Sequence, residues 1–178
     1  HIPYLYKHTD SQWKKQKRIR MLLDTWFTDN LFGIPGDEDG GGMSAFVVFS
    51  SMGFYPLIPG LSLYTITSPL FEEVKINLPG GKSFTIIANG VDDNKKYIKK
   101  AWLNGKPLDT PWIKHEDIMN GGVLEFEMVK YPARSWVTGQ ANITSISDWV
   151  TEFGQFTKVF SNRLYSQSNE MQFFYCKY

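Results

Sequence analysis

Asp37, Glu38 and Asp39 run directly into Gly40, Gly41 and Gly42, and then into the charge-free stretch MSAFVVFSSM. Carboxylates gathered beside an apolar segment suit general-base catalysis, helix capping, or ligation of a hard cation through oxygen. Asp37 and Asp39 are two positions apart, so in an extended loop both point to one side and Glu38 to the other. Two acids sharing a side perturb each other's ionisation. An ionised carboxylate in such a pair can deprotonate a water while its neighbour orients it. The glycines keep side chains clear, leaving room for a ligand or a water to reach the backbone. If Asp39 stands near a helix start, the helix amides hold it ionised. This is half the equipment of an inverting glycosidase, which also needs a protonated carboxyl across the sugar. The spacing is not that of an EF-hand loop, because glycines, Met43 and Ser44 follow the acids. On residue types alone, capping or turn duty, catalysis and metal ligation all stay open.

Other chemistries find less support. Gly42-Met43-Ser44-Ala45-Phe46 lacks the second glycine of an esterase nucleophile elbow, and the triple glycine lacks the Lys-Ser/Thr of a phosphate loop. Cys176 is the sole cysteine, which rules out an internal disulfide and a cysteine-based zinc site. His1, His8 and His115 are too scattered to suggest a metal cluster. A net charge of +1 offers no field to recruit nucleic acid, and no apolar run reaches the length of a membrane span. HIPYLY has neither the basic start nor the apolar core of a signal peptide. The chain therefore reads as an excised piece whose targeting signals lie elsewhere. Asn142-Ile143-Thr144 is a glycosylation acceptor pattern, although such triplets are common by chance.

The elements that must position the acids follow from periodicity. Residues 10–28 read as an amphipathic helix, with Ile19, Leu22, Leu23, Trp26 and Phe27 inward and Lys14, Lys15, Lys17 and Arg18 outward. Asp10 or Ser11 can cap it. Residues 29–42 form a loop by their glycine and proline content. A second helix opens at Gly42 or Met43 and ends at Gly53, which suits a left-handed cap. Its lack of charge predicts burial nearly all round. Beyond Gly60 the period changes to two, predicting strands near 61–67, 72–78, 83–89, 96–103 and 123–129 in an antiparallel sheet or sandwich. Leu124, Phe126 and Met128 take one face of the last strand, and Glu125 and Glu127 the other. Asn104-Gly105 marks a tight hairpin, and His115-Glu116-Asp117 a polar helix start. Trp13, Trp26, Trp102 and Trp112 read as core or half-core side chains, with a sugar platform as the alternative for one or two. Tyr4 and Tyr6 either pack or line a polar pocket. Residues after Trp136 carry aromatics without clear periodicity.

Taken together, HIPYLY (1–6), GDEDGGGMSAFVVFSSMGFYPLIPG (36–60), SPLFEEVKINLPGGKSFTI (68–86), WLNGKPL (102–108) and IKHEDIMNGGVLEFEM (113–128) resemble the C-terminal part of glycoside hydrolase family 92. These are calcium-dependent, exo-acting, inverting α-mannosidases, and the resemblance covers about residues 1–136. It implies an α + β chain: the terminal helices of an (α/α)6 toroid with the catalytic loop (1–56), an antiparallel β-rich region (57–136), and a divergent tail (137–178). It implies Asp39 as catalytic base and Asp37 as its supporting acid, while Glu38 inherits no named role. His1 resembles the second histidine of the family's paired His-His-Ile-Pro-Tyr stretch and is a candidate substrate contact. The implied substrate is a mannose-containing oligosaccharide or N-glycan, the implied cofactor calcium in the intact enzyme, and the implied location secreted or periplasmic. The family's general acid and most calcium ligands lie upstream of His1, so the chain alone is expected to be inactive. Phe46-Val47 stands where relatives often have Trp-Tyr, and the tail after Gly139 departs altogether. A non-catalytic carbohydrate-binding or structural module is the competing reading.

Overall fold

The computed structural model describes residues 2–58 and 60–137, which belong to one compact unit. Apart from Val137, the tail distinguished by sequence falls outside the described residues, as does His1. A 3-10 segment, Ile2–His8, leads into helix α1 (Gln12–Trp26) and, after a loop, helix α2 (Gly42–Met52). The strands follow: β1 (Phe54–Tyr55), β2 (Leu63–Ile66), β3 (Glu73–Asn77), β4 (Ser83–Asn89), β5 (Tyr97–Leu103), β6 (Lys106–Pro107), β7 (Trp112–Lys114) and β8 (Gly122–Val129). A short helix α3, His115–Met119, precedes β8. The chain is thus a mixed α+β fold.

Helix α1 buries Gln12, Lys15, Gln16, Ile19, Arg20 and Leu23, a single face at three- and four-residue spacing. The hydrophobic reading located this face only in part. Trp26, expected inside, is 59% exposed, whereas Lys15, expected outside, is fully buried. The reason is that this face meets backbone and polar groups. Gln16 Oε1 accepts from the Ile98 amide at 3.0 Å, Arg20 Nη1 donates to the Pro69 carbonyl at 2.9 Å, and Lys15 Nζ donates to Gln12 Oε1 at 2.7 Å. Long side chains bury their stems while their tips satisfy polar groups that strands leave over. The Gln16 oxygen meets β5 where its pairing with β8 slips, between Ile98 and Lys100. Burial holds the Lys15 ammonium well below the usual lysine range, and neighbouring Lys7 adds to the effect.

The strands form two sheets among the described residues, β1-β2-β7 and β3-β4-β8-β5-β6. The first is antiparallel throughout, but in the second β4 pairs with β8 in parallel, Phe84 opposite Gly122 through Asn89 opposite Glu127. This corrects the wholly antiparallel expectation. After β5, the chain runs through β6, β7 and α3 before β8 inserts between β4 and β5, a crossover long enough to permit a parallel neighbour. The predicted alternation is present: Phe84, Ile86 and Ala88 of β4 and Leu124, Phe126 and Met128 of β8 are all buried. They join Phe54, Ile66, Ile98 and Ile113 in the main core. Asn104 and Gly105 adopt φ of 52° and 75°, the left-handed pair that turns β5 into β6. Asp117 Oδ2 accepts the Lys114 amide at 2.8 Å, so the predicted polar start of α3 is a cap.

Helix α2 ends as expected. Gly53 has φ 100°, and its amide returns to the carbonyls of Phe49 and Ser50. The expectation of burial all round does not hold, since only Ser50 and Ser51 of α2 are buried and Val48 is 55% exposed. A charge-free helix surface exposed in this way lacks the packing partner that its composition demands. A smaller cluster of Tyr4, Ile19 and Leu23, with Phe27, Phe46, Val47 and Tyr55 packed on it, joins the 3-10 segment to both helices.

Candidate functional site

The acidic loop is the connection that delivers the chain into α2. Its geometry follows from the four amides that a helix start leaves without intrahelical acceptors. Gly42 N donates to the Asp39 carbonyl at 3.2 Å, Met43 N to the Glu38 carbonyl at 3.1 Å, and Ala45 N to the Gly41 carbonyl at 2.9 Å. Ser44 N donates to the Glu38 carboxylate, Oε1, at 3.0 Å. Residues 38–41 thereby supply acceptors for the amides of Gly42, Met43, Ser44 and Ala45. To do so, Asp39, Gly40 and Gly41 all turn left-handed, with φ of 60°, 66° and 96°. Two glycines make that possible, and aspartate is among the few other residues that tolerate it.

The carboxylate that meets the helix amides is therefore Glu38's, where the sequence suggested Asp39's. The Ser44 hydroxyl, then the Ser44 amide, hold the Glu38 carboxyl below the usual glutamate range against an opposing cost of desolvation, with a lesser contribution from the Met43 amide. Sequence inspection missed this cap because the side chain reaches an amide six residues on, beyond the three-residue span of a capping box. Asp37 and Asp39 are both exposed, and Glu38 between them is half-buried. The sidedness expected of an extended loop thus appears in the exposures, although Asp39 sits in a turn and not in an extended segment. His1, the candidate substrate contact, lies outside the described residues.

Behind the loop, α2 is tied to the 3-10 segment. Tyr4 Oη and Ser50 Oγ share a buried hydrogen bond of 2.8 Å, and the Tyr4 ring stacks on Tyr55 at 5.0 Å between centroids. Burial pushes the Tyr4 phenol far up, so it stays neutral in this bond. Tyr4 is thus a packing residue, with Phe46 edge-on to it at 6.4 Å and stacked on Phe27 at 5.6 Å. An open groove of about 670 Å³ is lined by Phe27, Phe32, Ile34, Glu38, Val47 and Val48 among others; of the three acids Glu38 lines it, and Asp37 and Asp39 do not. Leu31 and Phe32 at its rim are 92% and 88% exposed, and with Val48 they make an apolar surface next to a carboxylate loop.

The arrangement presents two exposed aspartates on a loop clamped to a helix start, flanked by an apolar groove. Among the described residues no three His, Cys, Asp or Glu side chains gather as a cation site. The calcium implied by the sequence resemblance therefore finds no full ligand set in these residues. No helix among the described residues is long and apolar enough to cross a membrane.

A family model described as the glycosyl hydrolase family 92 catalytic domain matches residues 1–130. An uncharacterized secreted glycosidase of the fungus Arthroderma benhamiae is 38% identical over 143 residues, covering 79% of this chain and 18% of that protein. The GH92 inverting mannosidase from Bacteroides thetaiotaomicron superposes with TM-score 0.75 at 38% identity, over 80% of this chain and 19% of the other. A GH92 α-mannosidase from the same bacterium, solved in complex with mannoimidazole, gives TM-score 0.77 at 32% identity, over 82% and 19%. The chain thus spans about a fifth of the length of these relatives. The ordered sequence blocks, the mixed α+β fold and the match over residues 1–130 lead to one conclusion: this chain belongs to glycosyl hydrolase family 92.

Proposed function

We propose that this chain supplies the general base of an inverting exo-α-mannosidase that removes terminal α-mannosides from glycans. Asp39 takes a proton from a water attacking the anomeric carbon, and Asp37 orients Asp39. A carboxylic acid from a segment outside this chain protonates the departing oxygen, and β-mannose is released. The two reacting carboxyls then stand roughly 6.5–9.5 Å apart, leaving room for the water.

The observation that carries this reading is the exposed Asp37 and Asp39 on a loop locked to the start of α2, in a chain whose neighbour is an inverting mannosidase. The apolar surface of Phe32, Ile34 and Val48 supports a shared site, because the relatives are about five times longer and their remaining length must pack somewhere. We take that surface as the seat of the segments that complete the site, including the acid and the ligands for calcium. A secreted or periplasmic enzyme acting on mannose-containing oligosaccharides or N-glycans fits the secreted glycosidase among the relatives.

The test is a chimera in which residues 1–130 of this chain replace the matching segment of the 38%-identical Bacteroides mannosidase. The chain alone should show no turnover of α-mannosides, and the chimera should release β-mannose as the first anomer seen by proton NMR. First release of the α anomer, or full activity of the isolated chain, overturns the proposal.

A further inference from the structure

The loop geometry points to a role for Glu38: we infer that it is a positioning residue that holds Asp39 in its left-handed conformation and so aims the proposed base. This inference rests on the proposed function of Asp39. It starts from an accounting of polar groups. Of the four amides at the start of α2, Glu38 satisfies two, Met43 N through its carbonyl at 3.1 Å and Ser44 N through its carboxylate at 3.0 Å. The peptide that enters Asp39 is thus anchored at the Glu38 carbonyl and, through the Glu38 side chain, a second time on the same helix turn. The peptide that leaves Asp39 is anchored by its own carbonyl on Gly42 N at 3.2 Å. Asp39 has little freedom to rotate between these anchors.

The conformation so fixed is one that side-chain-bearing residues avoid. Asp39 has φ 60°, followed by glycines at 66° and 96°. Aspartate tolerates the left-handed region better than most side chains but carries a cost that glycine does not, so it persists there where the surroundings hold it. Gly40 and Gly41 relax readily, since a side chain added at either would meet nothing within 4 Å. No packing around these glycines restrains the turn, so its hydrogen bonds must. Removing the Glu38 carboxylate frees the Ser44 amide, loosens one anchor and lets the Asp39 turn revert toward ordinary φ. Glu38 itself points to the helix and touches no reacting atom in this scheme.

The distinction between aiming and simple stability is measurable. In this chain, the backbone carbon shifts of Asp39, Gly40 and Gly41 report the left-handed turn, and amide exchange at Ser44 reports the cap. Glu38→Gln keeps an oxygen for Ser44 N and should preserve both signals, whereas Glu38→Ala should move the Asp39 shifts and accelerate Ser44 exchange. In the chimera, Glu38→Ala should lower kcat about 10- to 100-fold with KM changed less than about threefold, because small misplacement of a reacting group costs that much. Glu38→Gln should recover most of kcat. Unchanged Asp39 shifts in Glu38→Ala, or a kcat within twofold of the parent, overturns the inference. Asp39→Asn in the same chimera separates the two ideas. If Asp39→Asn is inactive while Glu38→Ala is normal, only the positioning role fails. If Asp39→Asn is fully active, the base assignment itself fails.

Discussion

Replacing Tyr4 with phenylalanine isolates one oxygen in the joint that seats the acidic loop's helix. Tyr4 and Ser50 are both fully buried, and their hydroxyls meet at 2.8 Å with no other partner for either oxygen among the described residues. Tyr4→Phe keeps the ring, its 5.0 Å stack on Tyr55 and its edge contact with Phe46, so packing is conserved. What changes is the hydrogen bond, worth about 1 kcal/mol net, together with the orphaning of the Ser50 hydroxyl, which costs about 1–3 kcal/mol when a buried group goes unpaired. Ser50 lies within α2 and can turn its hydroxyl back to the carbonyl of Phe46, recovering part of that cost. The expected loss is therefore about 1–2 kcal/mol. Urea unfolding followed by far-ultraviolet circular dichroism should show a lower midpoint with an unchanged slope. Ser50→Ala should cost a similar amount, and the double variant should cost less than the sum by about 0.5–2 kcal/mol, because each single change strands the other's partner. Single variants within about 0.3 kcal/mol of the parent, or strictly additive effects, would refute the reasoning.

Two further stability predictions follow from neighbouring contacts. Gly53→Ala should destabilise by about 2–3 kcal/mol: φ of 100° strains any side chain, and the added carbon would stand 3.0 Å from Pro69 Cβ, as a shifted urea midpoint will show. Gln16→Ala should cost about 1–3 kcal/mol by leaving the buried Ile98 amide unpaired, and exchange of that amide should accelerate selectively.

The sheet was the more legible half of this fold, for a physical reason. Leu124, Phe126 and Met128 alternate with glutamates because one face of β8 is core and the other is wet, and burial on one face leaves a period of two. Gly53 and Asn104-Gly105 were equally plain, since positive φ restricts residue choice. The short strands β1, β6 and β7 carry too few residues to show a period. The parallel β4–β8 pair was hidden as well, because pairing direction depends on a crossover and not on local pattern. Helix α1 misled because its inward face is built from Gln12, Lys15, Gln16 and Arg20, whose tips find partners across the fold. In α2 the absence of charge signalled a buried helix, yet Val48 is exposed. At the candidate site, the acids and glycines stood out by type. The division of labour between them did not, because Glu38 and Asp39 differ in what their backbone and side-chain oxygens reach.

One rate tests whether Asp39 removes the proton from water. In the chimera carrying residues 1–130, kcat for an α-mannoside is compared between the parent and Asp39→Asn, with unchanged circular dichroism required of both. Loss of a general base predicts a fall of about 10²- to 10⁴-fold in kcat. A variant turning over within a few-fold of its parent would contradict the account.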